Sequence, residues 1–162
     1  MKRVSAFLGC TVSMLLLASP GATSDRNGAS ACSALQVSSP EAPTKTQRRS
    51  KKAPTFSAAA ILDLKLEATL SPAVKGQHQV EFKVYTPKGH LYQSLTAMTA
   101  SSAAAQGGRT RGGKKTAAAV MLPVAGTTIV TNSLYGQWKV EAFLDGERDA
   151  ACAKPLSFVI EP

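Results

Sequence analysis

Strict alternation of apolar and polar side chains near the C-terminal end constrains this chain more than any other feature. In Gly136-Gln137-Trp138-Lys139-Val140-Glu141-Ala142-Phe143-Leu144-Asp145-Gly146, the residues Trp138, Val140, Ala142 and Leu144 fall on one side of an extended strand. Gln137, Lys139, Glu141 and Asp145 fall on the other. Successive side chains of a strand point to opposite faces, so this stretch describes one face in a core and one in water. Phe143 is the large apolar residue expected on the wet face. Trp138 is the only tryptophan of the chain and the expected anchor of the core.

The same period recurs upstream. Leu62, Leu64, Leu66, Ala68 and Leu70 alternate with Asp63, Lys65, Glu67 and Thr69, which argues strand although the residue types favour helix. Residues 57–61 leave room for a helix. Val80, Phe82 and Val84 oppose Glu81, Lys83 and Tyr85, and Thr86-Pro87-Lys88-Gly89 then fits a type I turn. Leu91, Gln93 and Leu95 return on an antiparallel strand whose buried face Gln93 weakens. Residues 117–122, the β-branched run Ile129-Val130-Thr131, and Leu156, Phe158 and Ile160 complete the pattern. About seven strands at roughly ten-residue spacing predict an all-β sandwich.

The N-terminal part reads differently. Met1-Lys2-Arg3, an apolar run over residues 6–18, and Ser19-Pro20-Gly21-Ala22 are the three parts of a secretory signal peptide. The run is shorter than the roughly 20 residues of a spanning helix, so residues 1–22 are expected to be cleaved rather than retained as an anchor. No second run of membrane length follows, and the mature chain is expected to be secreted or periplasmic with no transmembrane segment. Residues 23–56 are rich in Ser, Pro, Lys and Arg and poor in large apolar residues, which predicts a disordered basic linker. The folded domain is then expected over residues 57–162, with a long basic Gly-rich loop at residues 99–116.

Cleavage removes Cys10 and leaves Cys32 and Cys152 in an oxidising compartment. They are candidates for one intramolecular disulfide; the alternatives are pairing between molecules or a free thiol on the arm. A lipid-anchored Cys32 fits poorly, because it lies far past the apolar run.

The net charge of +9 is concentrated in the stretches expected to be unstructured. Arg26, Lys45, Arg48, Arg49, Lys51 and Lys52 face only Asp25 and Glu41 in the linker. Arg109, Arg111, Lys114 and Lys115 have no acid beside them in the Gly-rich loop. This loop lacks the spacing of a phosphate-binding P-loop, and no aromatic residues are interleaved for base stacking. It is therefore read as an interaction loop for anionic surfaces, not as a specific nucleic-acid site.

The residues 134–140, Asp145-Gly146 and Phe158-Val159-Ile160-Glu161-Pro162 resemble the ending of bacterial immunoglobulin-like modules of the α2-macroglobulin-like, YtkA-like and fibronectin-like kinds. These end with Gly-x-Trp/Tyr-x-Val, an Asp/Asn-Gly turn and a final Phe-x-Val/Ile strand. Residues 80–89 are similar to their middle hairpin. The resemblance covers roughly residues 60–162 and implies an immunoglobulin-like antiparallel sandwich, while saying little about activity. The basic loop and the absence of an inter-sheet cysteine pair inside the domain depart from it.

No constellation of acids, bases and nucleophiles points to an enzyme, and no cofactor is expected. His78 and His90, near opposite ends of one hairpin, are the candidate metal ligands, with Met98 or Met121 as soft copper donors. Asp145, Glu147 and Asp149 are a candidate calcium turn that lacks the usual ligand count. The expectation is an exported, non-enzymatic module that binds a protein or anionic envelope component through its loops, helped by outward-facing Phe143 and Tyr85. A periplasmic copper carrier using His78 and His90 is the alternative.

Overall fold

A computed structural model describes residues 30–41, 53–102 and 115–162 of the chain. Among these, the elements are β1 (Cys32–Ser38), β2 (Thr55–Ser57), β3 (Asp63–Leu70), β4 (Gln79–Tyr85), β5 (Leu91–Met98), β6 (Ala100–Ser102), β7 (Lys115–Pro123), α1 (Thr128–Thr131), β8 (Gly136–Leu144) and β9 (Leu156–Glu161). The fold is all-β. One sheet has the order β1-β3-β7-β6 and the other β2-β9-β8-β4-β5. All neighbours are antiparallel except β2 and β9, which run parallel.

The alternation read in the sequence is what joins the two layers. Leu64, Leu66 and Ala68 of β3 and Val80, Phe82 and Val84 of β4 are fully buried, as are Trp138 and Val140 of β8 and Phe158 and Ile160 of β9. These belong to one apolar cluster fed by both sheets. Removing such side chains from water supplies the driving force, at about 25 cal/mol per Å² of apolar surface. Trp138 lies at the centre of it. Its ring stacks on Phe158 at 6.4 Å between centroids, and its indole N–H donates to the Leu134 carbonyl at 3.0 Å. That bond removes the cost of burying an unpaired donor.

The structure corrects the expected linker at two places. Cys32–Ser38 form a full edge strand on β3, with Val37 buried, and Thr55–Ser57 pair with β9 and bury Phe56. Sparse apolar residues suffice here, because a strand laid on an existing sheet obtains its backbone partners from that sheet. The residues 1–29 and 42–52, which include the signal-peptide reading and most of the basic arm, lie outside the described residues.

Two further elements differ from expectation. Ile129-Val130-Thr131 lie in a helical turn rather than a strand. Gly126 turns the chain at φ +70°, and the Thr127 hydroxyl then accepts from the Ile129 N–H at 3.3 Å, satisfying a donor at the helix start. Ile129 is thereby buried completely. The expected loop at residues 99–116 begins and ends as paired strand, with Ala100↔Ala117 and Ser102↔Lys115 in register. The possible helix at residues 57–61 is the end of β2 followed by a turn.

The outer face of the five-stranded sheet is also not the apolar patch that was expected. Phe143 is only 8% exposed: it bridges to Ala150, and the Lys83 ammonium lies 4.3 Å from its ring centre. Lys139 covers the Tyr85 ring in the same way at 4.4 Å, while bonding Glu141 at 3.0 Å. Burial and the neighbouring Glu141 carboxylate raise the Tyr85 phenol above its ordinary range. Lysine side chains cover both rings, so neither Phe143 nor Tyr85 presents a bare apolar surface.

Candidate functional site

Among the described residues, a concave surface able to receive a partner lies beside the four-stranded sheet. A groove of about 620 Å³ is bounded by β1, the end of β3, the connection at residues 71–76 and the start of β7. Local backbone irregularity builds it. The β1–β3 register shifts between Cys32 and Ala34, and the displaced Ser33 turns its hydroxyl onto the Thr69 carbonyl at 3.1 Å. A β-bulge of this kind re-aims one side chain and bends the strand away from its partner. The chain after Leu70 is tied down by the Ser71 N–H, which donates to Ala31 at 2.8 Å, and by a Val74-to-Ser71 turn at 2.9 Å. Gly76, at φ +103°, then swings the chain back toward β4 in a conformation that side-chain-bearing residues rarely adopt.

Among the described lining residues, the charged side chains of the groove are lysines. Lys75 and Lys115 line it, both exposed, together with the hydroxyl residues Ser33, Ser71 and Thr116, and no carboxylate is among the described lining residues. Of the expected interaction residues, Lys115 is thus placed at this groove, as the first residue of β7. Arg109, Arg111 and Lys114 lie outside the described residues. In the chain they precede Lys115, at the point where β7 begins beside Ser102.

Next to the groove, His78 joins two connections. Its Nδ1 bonds the Asp145 carboxylate at 2.7 Å and its Nε2 bonds the Lys75 carbonyl at 2.9 Å. The turn that presents Asp145 was legible. Asp145 at φ +49° and Gly146 at φ +74°, closed by the Glu147 N–H onto Leu144 at 2.8 Å, make a type I′ turn. The second carboxylate oxygen accepts the Gln79 N–H at 2.9 Å. Hydrogen bonds to Asp145, then to the Lys75 carbonyl, hold the His78 pKa above its usual 6.5. The bond from His78 and that from Gln79 hold Asp145 below its usual 3.8.

The residues of the two metal readings are placed as follows. Both ring nitrogens of His78 are occupied, and the register places His78 and His90 at opposite ends of the β4–β5 hairpin. Met98 lies near the His78 end, but Met121 is on the other sheet. The Asp145 carboxylate has both oxygens engaged, and Glu147 and Asp149 have contacts of their own. Among the described residues, no group of three or more His, Cys, Asp or Glu side chains converges on a metal position.

Cys32 and Cys152 are joined in a disulfide, with Cα atoms 4.6 Å apart. The Ser30 hydroxyl reinforces the junction, donating to the Ala151 carbonyl at 2.7 Å and accepting the Ala153 N–H at 3.1 Å. β1, the strand behind the groove, is therefore pinned to the β8–β9 connection.

Sequence reasoning missed Lys75, Ser33 and the His78–Asp145 pair. The only available signal was the order of the strands. Once β4 and β8 are known to pair antiparallel with Val80 opposite Leu144, His78 and Asp145 must be neighbours. Comparison with protein-family models, curated proteins and solved structures finds no match to this chain.

Proposed function

We propose that this chain is an exported, non-enzymatic immunoglobulin-like module that binds an anionic partner of the cell envelope at the groove between β1, residues 71–76 and β7. The observation that carries the reading is the groove's cationic lining: the charged residues among its described lining are Lys75 and Lys115. Arg109, Arg111 and Lys114 add further cations to the chain just before Lys115. Clustered cations at a concave surface attract polyanions at long range and hold them by release of counterions.

The strand order supports the immunoglobulin-like part. An order of β1-β3-β7-β6 in one sheet and β9-β8-β4-β5 in the other corresponds to strands A, B, E, D and G, F, C, C′. The short β2, parallel to β9, is then a split first strand that changes sheet. Export is supported by the apolar leader and by a disulfide, a bond that persists in oxidising compartments.

Titrating the mature chain with heparin as a probe polyanion, at low and high salt, tests this. Binding should weaken steeply with salt. Alanine at Lys75, Arg109, Arg111, Lys114 and Lys115 together should abolish it while leaving the melting temperature unchanged. Salt-insensitive binding, or binding unaffected by those substitutions, overturns the proposal.

A further inference from the structure

The wall of the groove that carries Lys75 is held from behind by His78. Residues 71–78 connect β3 to β4, in different sheets; Ser71 and His78 at its ends continue the backbone bonding of their sheets, and Lys75 lies between them. Its ends are fixed by the Ser71 bond to Ala31 and the two His78 backbone bonds to Thr99, and Val74 packs on the core; between Val74 and His78 the bond that holds the Lys75 carbonyl comes from the His78 ring. The ring spans the gap between the Lys75 carbonyl and the Asp145 carboxylate, and both partners are acceptors. A neutral imidazole has one N–H and can satisfy only one acceptor; an imidazolium donates from both nitrogens.

We infer that His78 is a proton-operated latch on the anion-binding groove, pinning the Lys75 wall when charged and releasing it when neutral. The inference rests on the anion-binding reading above and adds its regulation. Asp145, from the β8–β9 turn, is the charged group that faces the ring. Thr99, after β5, bonds the His78 backbone: its hydroxyl accepts the His78 N–H and its own N–H donates to the His78 carbonyl, both at 2.8 Å. Glu147 follows in the same turn as Asp145 and has a contact of its own. Lys75 turns its carbonyl to the ring, while its side chain belongs to the groove. Gly76 completes the seat, since a Cβ there would lie 3.8 Å from Nε2 with nothing nearer.

The acid form favours binding twice over. It holds the Lys75 wall in place before the ligand arrives, which lowers the ordering cost of binding. It also adds one positive charge beside a cationic groove. Deprotonation breaks one of the two bonds and loosens the stretch around Lys75 between the backbone anchors at Val74 and His78, and His78 acts here as a positioning residue.

Heparin binding by the full mature chain, measured at about pH 6 and about pH 8 at fixed ionic strength, tests the latch over the range where histidine titrates. Its sulfates keep their charge throughout. Affinity should fall at least about fivefold toward the higher pH, the low end of couplings between sites. His78→Gln should bind weakly at both, His90→Gln should retain the full dependence, and Asp145→Asn should lower both the acid affinity and the pH of the transition. The amide shifts of Val74, Lys75 and Gly76, followed by NMR without ligand, should titrate together with the His78 ring. Equal affinity of the unmodified chain at both pH values overturns the latch and leaves the groove reading standing, as does a dependence that survives His78→Gln. Absence of heparin binding at either pH overturns the groove reading and the gating with it, whereas titrating amides would show the His78 bonds alone to be intact.

Discussion

Tyr92 meets the lone indole, Trp138, edge to face, with ring centres 5.2 Å apart and planes at 89°. A one-residue shift between Val84 and Tyr85 in the β4–β5 register makes the contact: Gln93 opposes Val84, Leu91 opposes Tyr85, and Tyr92 is the extra residue. The irregularity turns Tyr92 inward, where its hydroxyl bonds the Thr128 hydroxyl at 3.0 Å, and leaves Leu91 55% exposed. Tyr92→Leu should therefore cost about 0.5–1.5 kcal/mol through the lost aromatic pair. Trp138→Ala should cost about 3–5 kcal/mol. Urea denaturation followed by circular dichroism measures both, and a neutral Tyr92→Leu would show that the ring pair contributes nothing.

The disulfide between Cys32 and Cys152 spans a sequence separation of 120. Closing so long a loop restricts the unfolded chain, and replacing both cysteines by serine should lower stability by about 4–5 kcal/mol. The same midpoint shift should follow reduction. An unchanged midpoint would mean that β1 holds its place on β3 through ladder bonds alone.

Gly136 opens β8 at φ +126°, and a Cβ there would come within 3.2 Å of the Pro87 ring. Proline cannot rotate away, so Gly136→Ala combines an unfavourable backbone with a rigid clash and should cost about 1–3 kcal/mol. Gly89, at φ +83°, has open space around it. Gly89→Ala should lose only the backbone part, about 1 kcal/mol. Thermal unfolding of the two variants side by side separates the effects; equal losses would rule out the Pro87 contact.

The His78–Asp145 pair makes stability depend on pH from both sides. His78 binds its proton more tightly folded than unfolded, so its contribution is complete below the usual 6.5 and is lost as pH rises through the elevated folded value. Asp145 binds its proton less tightly when folded. Its contribution is present above the usual 3.8 and disappears as pH falls through the depressed value. The melting temperature should pass through a plateau between the two, and His78→Gln should remove the alkaline decline. A decline that persists in the variant would assign it to another group.

What the sequence determined alone was the alternation. Residues 64–70, 80–84 and 138–144 state their strand character and their buried face locally, because a period of two needs no knowledge of a partner. The Asp145-Gly146 turn was equally legible, since positive φ at both positions is written in the residue types. Ile129-Val130-Thr131 was misread because a short β-branched run has no period of its own, and the Thr127 cap decided for helix. Tertiary structure alone decided the rest. Cys32–Ser38 are too polar to announce a strand and become one through the ladder that β3 offers. Phe143 looked exposed because alternation assigns a face without saying what covers it, and Lys83 and Ala150 cover it. The groove and the His78 latch join residues brought together by sheet order. A spacing in one dimension cannot encode that order, because each contact depends on which strands become neighbours.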